Sequence, residues 1–397
     1  GFGKNDRGCL LHTTQIGHHV ARPTIFDAVP PSLHIDRLAA GRSHSVFVST
    51  KHNEVFVAGT NDLGQLGLAD RLPIDEQSFI SAITRLDILK GLDVVDVVCG
   101  LDHTFILTAQ GQVFGWGYSS EGQIGVDENT LSYTQTVRDE KDEEEDLFTT
   151  DLINQPTEIL LENDPSFNIV KVSCGVDHTL FLTDCGAVYA CGLNETGQLG
   201  VSTMTNTKEQ GNIEMYPRNV RSPLRVRGSL ASKRVVDVAA GGCHSLFLTD
   251  DGEVYGCGWS TEGRLGLSDE AIAQYQQEKE EKEAKTDSFS KEQPPKFDSI
   301  EEEKTYQEKQ AFEKTLIYEP VINPFLSKQN ITSLEAGGAH SFAYSDPQKS
   351  TFGFGYATNG RLGFFSQQEV IKQPTKIPGL EGQTLQKISA GIDHNLA

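Results

Sequence analysis

Residues 175–200, GVDHTLFLTDCGAVYACGLNETGQLG, decide the fold, because this pattern of glycine, histidine, apolar alternation and glycine recurs along the chain. Leu180-Phe181-Leu182-Thr183 reads as a short strand, Asp184-Cys185-Gly186 as a tight turn, and Val188-Tyr189-Ala190-Cys191 as the returning strand, which together make a β-hairpin. The glycines at 175, 192, 197 and 200 lack a side chain, so the chain can reverse or two backbones can approach closely there.

The copies are GRSHSVFVSTKHNEVFVAGTNDLGQLG from Gly41, GLDHTFILTAQGQVFGWGYSSEGQIG from Gly100, GGCHSLFLTDDGEVYGCGWSTEGRLG from Gly241 and GGAHSFAYSDPQKSTFGFGYATNGRLG from Gly337. A further copy starts at Gly391 as GIDHNLA, and the opening Gly3-Lys4-Asn5-Asp6-Arg7-Gly8 matches the later half of the unit, Gly192-Leu193-Asn194-Glu195-Thr196-Gly197. Aligned, the copies share a histidine column (His44, His103, His178, His244, His340, His394) and a glycine column (Gly59, Gly117, Gly192, Gly258, Gly355). Each period holds two more apolar segments. One runs into the first glycine, as in Val94–Cys99, and one often follows a proline, as in Pro156-Thr157-Glu158-Ile159-Leu160 and Pro374-Thr375-Lys376-Ile377. About four strands in a period of roughly 50 to 60 residues suit a propeller blade, longer than the ~40 to 45 of a WD-type blade. The expected fold class is therefore all-β, a β-propeller of four-stranded blades, with six repeats visible.

The G-x-x-H-[ST] opening and the G-x-N-x-x-G-Q-L-G closing resemble the repeats of the regulator of chromosome condensation family, over nearly the whole chain apart from two acidic insertions. The resemblance implies seven blades in one toroidal domain over residues 1–397. It also implies a range of uses: guanine-nucleotide exchange on a small GTPase, ubiquitin-ligase and ciliary scaffolding, and light sensing, so fold alone does not fix function. The chain begins and ends within a repeat. After His394 the pattern needs about ten more residues before the position that Phe2 occupies, so the sequence reads as a fragment of a longer chain.

The formal net charge is −22. That argues against nucleic acid as a partner, since such binding draws on Lys and Arg at phosphates. No apolar run approaches the ~20 residues needed to cross a bilayer, so no membrane insertion is expected. The 7 cysteines follow the repeat. Cys99 and Cys174 share one column, and Cys191 and Cys257 share another with Phe2, Ala58, Trp116 and Phe354, which marks buried packing by small hydrophobes. With no C-x-x-C, a soluble intracellular protein in a reducing compartment is expected, cytoplasmic or organellar, the mitochondrion included.

The first insertion, residues 127–152, reads as an acidic loop, because 139–146 carry seven acids and one lysine. The second, residues 268–319, reads as a charged helical arm. It puts 96 positions between His244 and His340 where other intervals run from 54 to 75, and 269–319 hold no glycine. Its halves, 269–287 and 300–318, are rich in Glu, Lys, Gln and Ala, and Pro294-Pro295 lies between them, so two helices with a break are expected. The runs 139–146 and 269–319 supply −13 of the charge, which would steer a partner toward the insertions. Tyr275, Tyr306, Phe312 and Leu316 are the partner-binding candidates. They are expected to stay unusually exposed, with a neighbouring subunit rather than the propeller itself clamping the arm.

The histidine column could suggest a metal or acid–base site, but repeat symmetry spaces equivalent histidines one per blade, so each is expected to be a buried hydrogen-bonding residue with the following Ser or Thr assisting. His12, His18 and His19 are read as loop histidines, since no cysteine or carboxylate cluster joins them. Asp102, Asp177 and Asp393 stand beside motif histidines, but the same position is Ser43, Cys243 and Ala339 elsewhere and no nucleophile accompanies them. No phosphate loop, zinc-protease motif or nucleophile elbow is present, and only Trp116 and Trp259 could serve a light sensor. The sequence thus predicts no catalytic residue, cofactor or metal. Its function reads as a protein–protein interaction scaffold or assembly subunit of a larger intracellular complex, with other proteins as partners. The alternative is a guanine-nucleotide exchange factor for a small GTPase, pressing a face or wedge-like hairpin on its partner.

Overall fold

The computed structural model describes residues 3–4, 19–20, 33–69, 79–127, 133–138, 147–161, 168–201, 217–286, 300–392 and 394–396. The chain packs into two compact units, Gly1–Leu193 with Pro217–Arg225, and Asn194–Tyr216 with Val226–Ala397. The first unit opens with a two-stranded piece, β1 (Gly3–Lys4) and β2 (His19–Val20), and then holds three blades. They are β3 (Arg37–Ala40), β4 (His44–Ser49), β5 (Glu54–Thr60) and β6 (Phe79–Arg85); β7 (Val94–Cys99), β8 (His103–Thr108), β9 (Val113–Tyr118), β10 (Tyr133–Arg138) and β11 (Leu147–Glu158); and β12 (Ile169–Cys174), β13 (His178–Thr183), β14 (Val188–Leu193) and β15 (Asn219–Arg225). The second unit holds two: β16 (Val235–Ala240), β17 (His244–Thr249), β18 (Val254–Trp259) and β19 (Leu316–Ile322), interrupted by α1 (Asp269–Thr286) and α2 (Ile300–Glu313); and β20 (Ser333–Ala336), β21 (His340–Ser345), β22 (Ser350–Tyr356) and β23 (Val370–Lys376). A second two-stranded piece follows, β24 (Ser389–Ala390) and β25 (Asn395–Leu396).

Every blade is an antiparallel sheet of neighbours in chain order, with β10 added outside β11 in the second. The all-β propeller class expected from the repeat is what the chain adopts. In each blade the second strand is buried along its whole length (β4, β8, β13, β17 and β21), because both sheet faces are covered. That is why these strands read as continuous runs such as Phe-Ile-Leu rather than as a half-polar alternation. Phe105 of β8 and Phe181 of β13 meet edge to face at 5.6 Å, joining the second blade to the third. The predicted turn after β13 is present: Gly186, at φ +83°, donates its N–H to Thr183 O at 2.9 Å.

Four of the five fourth strands carry a proline, Pro156, Pro223, Pro320 and Pro374, and the pairing of each with the third strand slips by a bulge next to the column glycine, across from Trp116, Cys191, Cys257 and Phe354. Proline has no N–H to give a ladder, so the outer strand is where it is tolerated.

Two sequence expectations change here. The acidic loop expected at 127–152 contains two strands, β10 and the start of β11, in six consecutive antiparallel pairs from Tyr133 opposite Leu152 to Arg138 opposite Leu147. YTQTVR and LFTTDL are rich in Thr, Val and aromatic residues that suit a pleated strand, a signal overshadowed by the acidic run between them. That run, 139–146, lies outside the described residues. The arm forms its two helices, but the second stops at Glu313 rather than reaching 318, since Leu316, Ile317 and Tyr318 belong to β19 and complete the fourth blade. Pro294 and Pro295 lie outside the described residues. Among the described residues no helix is long and apolar enough to cross a membrane.

Candidate interaction site

The histidine column holds neighbouring blades together. His44 Nε2 lies 2.9 Å from Thr104 Oγ1 and His103 Nε2 lies 3.3 Å from Thr179 Oγ1; in the second unit His244 Nε2 lies 2.7 Å from Ser341 Oγ. Each hydroxyl follows the next blade's histidine in sequence and donates to a loop carbonyl of the histidine's own blade: Thr104 to Gln65 O (3.1 Å), Thr179 to Gln123 O (2.7 Å) and Ser341 to Arg264 O (2.8 Å). A hydroxyl has one hydrogen, and here it points at a carbonyl, so the imidazole must be the donor and carries its proton on Nε2. His340 reaches Asn395 Oδ1 at 2.6 Å, an acceptor that requires the same tautomer. Burial lowers the pKa of His44 to about 4, and those of His103 and His178 to about 3, so all three are neutral.

The glycines of the motif make room for this bracket. A Cβ on Gly41, Gly100, Gly241 or Gly337 would collide with the imidazole three residues on. The column glycines Gly59, Gly117, Gly192, Gly258 and Gly355 sit at φ between +106° and +110°, and a Cβ there would strike the carbonyl oxygen preceding the motif histidine. Five motif histidines are fully buried, as expected. His394 differs and is exposed, since it belongs to the two-stranded piece and not to a four-stranded blade.

The closing motif has a role the repeat alone did not reveal. Gln65 O also accepts from Trp116 Nε1 at 3.0 Å, Gln123 O from Cys191 Sγ at 3.5 Å, and Gln198 O from both Ser245 Oγ (2.6 Å) and Cys257 Sγ (3.6 Å). The mixed column of Trp and Cys therefore packs on, and donates to, the loop of the blade before it. Burial raises the Cys191 and Cys257 thiols far above their usual range, so they act as packing atoms. Pairing the last glycine of each loop with the proline of the next outer strand would have exposed this contact in the sequence: a Cβ on Gly67, Gly125, Gly200 or Gly266 would crowd Pro156, Pro223, Pro320 or Pro374.

Of the acids beside the motif histidines, Asp102 and Asp177 are tied into the loops, and Asp393 lies outside the described residues. Arg42 Nη2 sits 2.6 Å from Asp102 Oδ2, and Gln123 Nε2 donates to Asp177 Oδ1 at 3.4 Å. Burial raises the pKa of Asp102 against the pull of Arg42, and burial followed by Glu121 and Asp102 raises that of Asp177 to about 6. Among the described residues no group of three His, Cys, Asp or Glu converges as metal ligands. His12 and His18 lie outside the described residues, and of His19 only its place in β2 is described.

The helical arm is rooted on its own blade. Ser268 caps α1, accepting from Ala271 N–H at 3.3 Å, with Asp269 and Glu270 favourably placed in the first turn. Tyr275 Oη accepts the β19 N–H groups of Tyr318 (2.9 Å) and Glu319 (3.3 Å), while Gln276 Nε2 donates to Lys314 O (2.9 Å) and Leu316 O (3.1 Å). From α2, Phe312 meets Trp259 edge to face at 5.8 Å, and the Arg264 guanidinium stands 4.6 Å from the same indole. The expectation that all four apolar candidates stay exposed is therefore corrected: Tyr275 is 9% and Leu316 3% exposed, because they form the root itself. Phe312, 45% exposed, and the half-buried Tyr306 remain accessible on α2.

Residues 1–397 match the family model described as RCC1-like domain. The chain is 34% identical over 240 residues to Probable E3 ubiquitin-protein ligase HERC6 of Homo sapiens, covering 60% of this chain and 19% of that protein. It is 32% identical over 235 residues to Probable E3 ubiquitin-protein ligase HERC4 of Mus musculus, covering 59% and 18%. The chain thus spans less than one fifth of these relatives. Among solved structures, human WBSCR16 is similar with a TM-score of 0.64 at 19% identity, over 98% of this chain and 78% of that one. Yeast RCC1 (Prp20), solved bound to Kap60, gives 0.52 at 17%, over 99% and 87%. At those identities the likeness concerns the fold. With its histidine brackets, its four-stranded blades and a family match over its whole length, the chain belongs to the RCC1-like domain family.

Proposed function

We propose that this chain is a protein–protein interaction scaffold, an assembly subunit whose blades form a rigid platform and whose insertions meet partners. One observation carries the reading: the recurrent polar residues bind one blade to the next, while α2 stands on the fourth blade with Phe312 packed on Trp259 and still partly exposed. A buried histidine that is neutral and already donating to a fixed hydroxyl serves packing better than proton transfer. The yeast relative solved in complex with another protein supports a binding role for such a platform. Free thiols at Cys99, Cys174, Cys185, Cys191, Cys243 and Cys257 accord with an intracellular setting. The test is capture from native extract by the intact chain and by a variant lacking 269–313, which spares Leu316 and β19. Proteins held only by the intact chain are expected. Identical captures would remove the arm as a contact.

A second reading, nucleotide exchange on a small GTPase, gains from the β10–β11 hairpin, since a projecting hairpin is the shape a wedge needs. Its test is release of labelled nucleotide from a panel of GTPases, with acceleration expected from the intact chain and none after removal of residues 133–150.

A further inference from the structure

Where α1 leans on β19 the arm leaves a groove of about 370 Å³, at the small end of the ~300–1,000 Å³ of ligand clefts and so with room for a few side chains. One wall is a single face of α1, since positions 271, 274, 275 and 278 follow helical spacing and put Ala271, Tyr275 and Glu278 side by side. The facing wall is β19 and the turn behind it, with Glu319, Pro320, Ile322 and Pro324.

Two properties of these walls decide what fits between them. The first is apolar surface within reach of water: Ile322 is 38% exposed, and Pro324 beside it is exposed as well. Such surface on a concave wall gains from being covered, because apolar area is driven out of water. The second is charge. Glu278 and Glu319 bring two carboxylates to the groove, against one cation among its described lining residues, Lys279, whose Nζ stands 4.9 Å from the centre of the Tyr318 ring. A guest with a positive charge is the better complement. Backbone pairing contributes little along this stretch, because Tyr275 Oη takes the N–H groups of Tyr318 and Glu319 and Pro320 has none. A guest is therefore read by its side chains.

We propose that the groove between α1 and β19 is a docking site for an extended segment of a partner protein that carries an apolar residue and, close to it in sequence, an arginine. The apolar side chain covers Ile322 and the prolines. The guanidinium meets Glu278 and Glu319, since its planar fork of donors suits carboxylates better than an ammonium does. The inference deepens the scaffold reading by giving the arm a partner chemistry, and it rests on that reading for the partner being a protein.

The test uses the full chain and a panel of labelled synthetic peptides that pair Leu or Gln with Arg, Lys or Glu two residues on, followed by anisotropy and by isoleucine-methyl NMR. The peptides with Leu and Arg are expected to bind best and to shift the Ile322 methyl signals. E278Q/E319Q should weaken their binding about five- to tenfold, whereas E280Q/E281Q, which removes the same charge from α1 outside the groove lining, should change it less than about twofold. Ile322→Thr keeps a β-branched residue in the strand and should weaken the Leu peptides more than the Gln peptides. Equal weakening by the two double variants would reveal attraction to the chain's overall charge and overturn the proposal. So would no binding at millimolar peptide, binding that leaves the Ile322 methyls unmoved, or self-association of the chain that E278Q/E319Q abolishes, which would make the occupant a second copy. If no peptide binds while arm-dependent capture persists, the groove alone is lost; if captures are identical while the peptides bind as expected, the groove stands and the scaffold reading loses its support.

Discussion

Both insertions leave their blade between the third and fourth strands, both are acidic, and they finish in opposite ways. In the second blade the chain goes out as β10 and returns as β11, so the sheet itself grows by one strand. In the fourth blade it goes out as α1 and returns from α2, and Tyr275 and Gln276 cover the backbone of β19. The difference lies in the residues near the root. Thr, Val and aromatic side chains suit a pleated surface, whereas runs of Glu, Gln, Lys and Ala lose little in a helix. Charge, the property the two share, decides neither shape.

Acid should separate the platform beneath the hairpin from the insertions by the largest margin. His44, His103 and His178 have folded pKa values below the unfolded 6.5, so their stability contribution is complete above pH 6.5 and is lost as pH falls toward about 4 to 3. Each can cost up to about 1.4 kcal/mol per pH unit, for a total of several kcal/mol. Asp177, raised to about 6, works in the other direction between 6 and its usual 3.8, because its protonated form is favoured in the folded state. Urea unfolding from pH 7 to 4 should show a net fall in stability that steepens when Asp177→Asn removes the opposing group. A flat profile would contradict buried, neutral histidines.

The arm's root is tested next. Leu316→Ala should cost about 2–5 kcal/mol, as for a leucine in a well-packed core, in contrast to the loose attachment expected of a partner-clamped arm. A midpoint shift no larger than that of a surface substitution would show that β19 does not depend on it. His178→Ala should cost ~1–3 kcal/mol by calorimetry with no bound metal lost, and stoichiometric zinc in the wild type would overturn its structural reading.

Smaller effects sharpen how the helix covers the backbone of β19. Tyr275→Phe leaves the N–H groups of Tyr318 and Glu319 without their acceptor and should cost about 1–2 kcal/mol, with faster exchange at those two amides. Unchanged exchange there would mean that the helix does not close the edge. Tyr306→Ala, on the accessible face of α2, should stay within about 0.5 kcal/mol and weaken only partner capture.

The repeat, its strands and its hairpin turns were legible because each repeats a short-range rule: a short apolar run, a turn glycine, a proline confined to an outer strand. The buried state of five motif histidines followed from symmetry, since an equivalent residue in every blade cannot serve a single ion. His394 departs from that rule because burial comes from neighbouring strands and not from the motif.

What the sequence by itself determined is what lies within one repeat: four strands per blade, the glycines at positive φ, two helices in the arm and the concentration of charge in two insertions. Tertiary structure decided what passes between repeats. Thr104 gives its proton to Gln65 and takes one from His44, two partners 39 and 60 residues away in the chain. Tyr275 is consumed by a strand 43 positions on, which turned an expected partner contact into a buried root. No local pattern encodes such pairings, because a side chain's hydrogen-bond partner and its exposure depend on which surface is brought against it, and that is settled only when the blades pack.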